Sequence, residues 1–138
     1  NPVTLGAGGS STTADGFKRS GGGAIKISAS GTVTINGRIS CNAHDRGFHN
    51  TGAGGSLQIS CNTFAGGGIA QARGGNISTA GRSPGGGGRI ALTFTTSTFT
   101  GAYDVSGGKD PLRRARPGTL SLPSFFALGR EPKREEPV

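Results

Sequence analysis

The sequence predicts an all-β fold, a short right-handed parallel β-helix (β-solenoid) of three to four coils with repeats of about 32 residues. Three observations carry this reading. A glycine run opens directly into a short alternating strand at Gly21-Gly-Gly-Ala-Ile-Lys-Ile-Ser28, Gly54-Gly-Ser-Leu-Gln-Ile-Ser60 and Gly85-Gly-Gly-Gly-Arg-Ile-Ala-Leu-Thr-Phe-Thr95. Gly23, Gly55 and Gly88 hold equivalent places, so the intervals are 55 − 23 = 32 and 88 − 55 = 33 residues. Between these starts, apolar residues alternate with polar ones over short runs, the period of a strand with one buried face. Finally, 28 of 138 residues are Gly, only 31% are hydrophobic, and Trp and Met are absent. A wide core is hard to build from that composition, whereas a solenoid fills a narrow one from alternate residues. The glycines do not recur at every third position, which excludes collagen. The clustering of the apolar residues argues against a disordered Gly/Ser chain.

Taken in order, residues 1–20 hold one strand candidate, Val3 to Leu5, and then a Gly/Ser/Thr loop. The solenoid domain is expected over 1–122, with repeats near 21–52, 53–86 and 87–122. In the first repeat, Ile25, Ile27 and Ala29, then Val33 and Ile35, then Ile39 and Cys41 face inward, with Ser30-Gly31 and Asn36-Gly37 as turns between the runs. In the second, Leu57, Ile59 and Cys61 point in, Phe64 matches Val33, and Ile69 matches Ile39. In the third, Ile90, Leu92 and Phe94 face in, followed by Phe99, Tyr103 and Val105. Gly118-Thr-Leu-Ser-Leu122 is a candidate last strand. Residues 123–138 read as a capping segment, with Phe125 and Phe126 over the open end of the stack, and a charged, proline-bearing tail. The right hand is expected from the general preference of parallel crossovers.

The formal net charge is +8, and seven basic residues follow position 108, so the excess belongs partly to the tail. A basic surface attracts polyanions, although solubility alone accounts for such a charge. No stretch approaches the length of a membrane span. The sequence opens without an initiator Met or a signal peptide, so the chain is expected to begin at a processing site or within a larger protein. Two cysteines in a Ser/Thr/Gly-rich chain fit an extracellular origin.

Gly22-Gly-Ala-Ile-Lys-Ile-Ser-Ala-Ser-Gly-Thr-Val-Thr-Ile-Asn-Gly-Arg-Ile-Ser40 resembles the Gly-rich repeats of large secreted or surface β-helix proteins. Those repeats run as glycines, an "I-x-I" strand, "G-T-L" and "G-x-I-S-A-N-G-G". Gly86-Gly-Gly-Arg-Ile-Ala91 is similar to their recurring "GGGRIA" segment, and Ser97-Thr-Phe-Thr-Gly101 fits its continuation. The resemblance covers roughly 5–122 and implies an extracellular, adhesin-like or surface-structure chain. The cysteines within strands and the short loops depart from it.

Ile39-Ser-Cys-Asn42 and Ile59-Ser-Cys-Asn62 are identical tetrapeptides, with Cys41 and Cys61 20 residues apart. A coil of that length would stack them about 4.8 Å apart, within disulfide range. The longer frame instead aligns Cys61 with Ala29 and leaves Cys41 in the third strand. A Cys41–Cys61 bridge between neighbouring coils and two buried free thiols are both left open. A bridge closing such a loop would contribute on the order of 3 kcal/mol.

His44, Asp45 and His49 lack a fourth ligand at metal-site spacing and read as a solvated loop. No cofactor is implied. The outward positions Lys26, Ser28, Gln58, Ser60, Ala91 and Thr93 form a polar strip without the acid pair of a polysaccharide hydrolase, so no enzyme is expected. The glycine runs lack the Lys-Ser/Thr of a phosphate loop, and aromatics for base stacking are few, so no nucleic-acid partner is expected. Thr32, Thr34, Thr93, Thr95, Thr96, Thr98 and Thr100 raise ice binding, which needs a flat array stacked across coils. The threonine-rich run lies mainly in the third copy. Asn76-Ile-Ser78 fits an N-glycosylation acceptor.

The function expected is that of a non-enzymatic extracellular structural module. It would self-associate through its open coil ends, as a filament subunit or adhesin segment. The alternative is a binding module for acidic polysaccharides or other cell-surface glycans, contacted by Lys26, Arg38, Arg89, Arg113, Arg114 and Arg116.

Overall fold

A computed structural model describes residues 4–9 and 20–123. The chain forms β1 (Ala24–Ser28), β2 (Thr32–Thr34), β3 (Arg38–Ser40), β4 (Ser56–Ser60), β5 (Thr63–Ala65), β6 (Ile69–Gln71), β7 (Arg89–Thr93), β8 (Thr96–Ser97), β9 (Ala102–Asp104) and β10 (Thr119–Ser121). Each strand pairs with its counterpart one coil on. Three parallel sheets result, β1-β4-β7-β10, β2-β5-β8 and β3-β6-β9. The glycine frame of the sequence is the register itself, with Ala24 opposite Ser56, Ser56 opposite Arg89, and Arg89 opposite Thr119. The molecule is thus a parallel β-solenoid of about three turns, with β10 starting a fourth.

The core is the narrow column that the alternation predicts. Leu57, Ile59, Phe64 and Ala70 of the middle coil are 0–1% exposed. Ile25, Ile27, Val33 and Ile39 pack on them from one side, and Ile90, Leu92, Phe94 and Phe99 from the other. Phe64 stacks on Phe94 with centroids 5.9 Å apart and meets Phe99 at 4.6 Å, and Phe99 meets Tyr103 at 5.2 Å. Removing the Phe64 ring from this stack costs about 3–5 kcal/mol.

Three expectations change. Cys41 and Cys61 are free thiols and not a disulfide. The reason is the repeat length. Cys41 follows β3 at the corner before the next glycine run, where its Sγ donates to the Ser56 carbonyl at 3.3 Å. Cys61 follows β4, at the corner between the first and second sheets, and its N–H donates to the Thr93 carbonyl at 2.9 Å. The two residues occupy different corners of successive coils, so the identical tetrapeptides are not stacked. Ile69 does not match Ile39. It lies opposite Arg38, and Ala70 takes the inward place opposite Ile39. The corners Ile35-Asn36-Gly37 and Gly66-Gly67-Gly68 are equal in length, so the interval that sets Thr32 opposite Thr63 (63 − 32 = 31 residues) carries on unchanged into β3 and β6 and places Ala70, not Ile69, opposite Ile39. Residues 4–9 form no strand. They run past the first glycine corner, with the Gly6 N–H on the Gly22 carbonyl and the Ala53 N–H on the Ala7 carbonyl, both at 2.8 Å. Val3, Phe125, Phe126 and the charged tail lie outside the described residues.

Candidate functional site

The glycine runs act where the chain closes each coil. After the third sheet it leaves in an excursion loop and returns at the next glycine pair. Gly55 N–H then donates to the Cys41 carbonyl at 2.8 Å, Gly88 N–H to Ala72 at 2.7 Å, and Gly118 N–H to Val105 at 2.7 Å. A Cβ at Gly55 would overlap the Gly23 carbonyl oxygen. Backbone therefore packs on backbone at this corner, which only glycine permits. Beside this corner lies a polar groove of about 330 Å³, lined by Thr4, Gly6, Gly54, Gly87, Arg89 and Thr119, among others.

The excursion loops stack on one another as a second lobe. Ala43 donates to Arg73 at 2.9 Å, Arg46 to Asn76 at 2.9 Å, Ile77 to Lys109 at 2.9 Å and Gly87 to Arg116 at 2.9 Å. Side chains repeat the pattern. Asn42 Oδ1 accepts from Arg73 N–H at 2.8 Å, Asp45 Oδ1 from Asn76 N–H at 2.8 Å, Asn50 Oδ1 from Ser83 N–H at 2.9 Å, and Asn76 Oδ1 from Lys109 N–H at 3.0 Å. Thr51, only 6% exposed, donates to the Gly75 carbonyl at 2.6 Å and accepts from Gly85 N–H at 2.9 Å. Sequence reasoning missed this asparagine ladder, because its partners are backbone groups about one repeat away. Asn76, the glycosylation candidate, stands half-buried within it.

The six cations singled out in the sequence do not form one surface. Lys26 and Arg89 face out of the first sheet two coils apart, and Arg38 faces out of the third sheet. Arg113, Arg114 and Arg116 are exposed on the last excursion loop. That loop also exposes Lys109 and adjoins Arg82, whose carbonyl accepts from Arg113 Nη2 at 3.0 Å. Within 106–117, Lys109, Arg113, Arg114 and Arg116 face a single acid, Asp110. In the tail, Arg130, Lys133 and Arg134 are matched by Glu131, Glu135 and Glu136, so the charge excess after position 108 sits in this loop.

Asp110 organises the loop's turn. Its Oδ1 accepts from the Leu112 N–H at 2.8 Å and the Arg113 N–H, and its Oδ2 lies 3.4 Å from Arg113 Nε. Desolvation would raise its pKa, but the bonds from Leu112 and Arg113 and the guanidinium charge outweigh it and hold the carboxyl below its ordinary value. Burial pushes both thiols up, and pushes the Tyr103 phenol up to about 12. His44 is exposed and His49 half-buried in the first excursion loop. Among the described residues, no three His, Cys, Asp or Glu side chains converge on one point.

Comparison with protein-family models, with curated proteins and with solved structures finds no match to this chain. Of the resemblance to Gly-rich surface repeats, the structure bears out the parallel β-solenoid fold. No helix among the described residues is long and apolar enough to cross a membrane.

Proposed function

We propose that the chain is a non-enzymatic, extracellular structural module that adds end to end to further coils, whether of a second copy or of a longer chain. One observation carries the reading. Among the described residues, the outer edges of β2 and β3 at one end, and of β8, β9 and β10 at the other, pair with no strand. Among the described residues, the apolar column runs out at both ends. Its middle coil is sealed, while Ile25, Ile27, Val33, Ile35 and Ile39 at one end and Phe99, Tyr103, Val105 and Leu120 at the other are only half-buried. The two edges are of opposite sense and both parallel, so one end is the template for the other. Such a contact is heterologous and does not close on itself. Negative-stain imaging of the purified chain across concentration tests this. Fibres with a regular axial repeat are expected, and dispersed single particles at every concentration would overturn self-association.

The second reading, binding of acidic polysaccharides, is favoured by the uncompensated cations of 106–117. It narrows the binding residues to Lys109, Arg114 and Arg116 around the Asp110–Arg113 turn. Salt-sensitive retention on an immobilised sulfated polysaccharide, lost in an Arg114→Ser/Arg116→Ser variant, is its expected signature. Retention unchanged by that variant would remove the loop from the reading.

A further inference from the structure

The second sheet aligns threonines that lie far apart in the sequence. Thr32 lies opposite Thr63, and Thr63 opposite Thr96, so three coils contribute one threonine each to a single column. Two residues on, Thr34 lies opposite Ala65, and Thr98 follows in the same column, its N–H on the Phe64 carbonyl at 2.9 Å. The alternate positions Val33, Phe64 and Ser97 turn inward and leave these six residues on the outer face. Thr32, Thr34, Thr96 and Thr98 are exposed, and Thr63 and Ala65 are half-covered by the coils on either side. Among the described residues, no hydrogen bond engages the five hydroxyls, and no charged side chain belongs to the array.

We infer that this face binds ice. Neighbouring residues of the array repeat about 4.8 Å apart across the coils and about 6.6 Å along each strand. Strands of two or three residues accumulate little of the twist that would spoil the match. An array periodic in two dimensions complements a periodic solid better than any single dissolved molecule. Threonine suits a lattice of water: its hydroxyl joins the hydrogen-bond network, and its methyl orders neighbouring water without competing for hydrogen bonds. A lysine or aspartate would hold a tight hydration shell of its own. The one flaw is Ala65, a hydroxyl missing from an otherwise complete set of three rows by two columns. The inference does not rest on end-to-end assembly, and it concerns a different surface from the cationic loop.

The test is partition of the protein into slowly grown polycrystalline ice, with inhibition of ice recrystallisation as a second readout. It uses the chain as it stands, Thr63→Arg at the centre of the array, Ala65→Thr to complete it, and Lys26→Ala on the first sheet as a control. Each hydroxyl added to or removed from the array is expected to change attachment about fivefold. The chain should therefore enter ice, Thr63→Arg should be excluded, Ala65→Thr should enter more strongly, and Lys26→Ala should be unchanged. Circular dichroism verifies that each variant is folded. The increase from Ala65→Thr keeps the test decisive should Thr63→Arg fail to fold. Exclusion of the unaltered chain from ice would overturn the inference. So would equal partition of Thr63→Arg and Ala65→Thr, or binding to crystalline cellulose in place of ice.

Discussion

Gly55 and Gly31 look alike in the sequence and differ entirely in the fold. A Cβ at Gly55 would overlap the Gly23 carbonyl oxygen, and both partners are backbone that cannot move aside. Gly31 has open space around its missing Cβ. Gly55→Ala is therefore expected to cost about 3 kcal/mol or to prevent folding. Gly31→Ala should be neutral or stabilise by up to about 1 kcal/mol, by restricting the unfolded chain. Thermal melts followed by circular dichroism check both. Tyr103 offers a second residue-scale test, because it is the one tyrosine in the chain. Its phenol titrates near 10 when unfolded and is pushed up to about 12 by burial. The folded state favours the neutral form, so stability is intact below pH 10 and declines as pH rises from about 10 to about 12. Ultraviolet titration should place the phenolate midpoint near the upper value, and Tyr103→Phe should flatten the alkaline loss of stability.

At the level of elements, the excursion loops behave as a second stack held by polar groups, beside a first stack held by apolar ones. Thr51 links the first loop to the second through Gly75 and Gly85. Thr51→Val keeps the volume but strips both bonds, and a loss of about 1–2 kcal/mol is expected in a denaturant titration. A loss within a few tenths would mean that the loops contribute little to folding. Strand identity follows a different rule. In β6, the outward place of Ile69 and the inward place of Ala70 follow from the register that β5 already holds against β2, carried through a corner of equal length, and not from hydrophobicity.

For the molecule as a whole, stability comes from coil-on-coil stacking and not from a covalent clamp. Cys41 and Cys61 are unpaired, so reductant should leave the melting temperature unchanged, and denatured protein should titrate with two thiols. A melting temperature lowered by reductant would contradict that arrangement. The middle coil is sealed while the outer two are half-open, so the least stable parts of the column should be its ends.

The fold class, the repeat frame and nearly all the inward residues were legible from the sequence. In a parallel solenoid, the period of the glycines is the register of the sheets, so a one-dimensional pattern specifies a three-dimensional stack. The candidate sites were far less legible. Identical Ile-Ser-Cys-Asn tetrapeptides suggested a pairing that the coil length denies them. Six cations that read as one set lie on different faces. Thr63, an isolated threonine in the sequence, completes a column with Thr32 and Thr96. Each of these depends on which residues of different coils become neighbours. A sequence displays spacing along the chain, but a site is made across it, and only the tertiary stacking brings residues about 32 positions apart within about 5 Å.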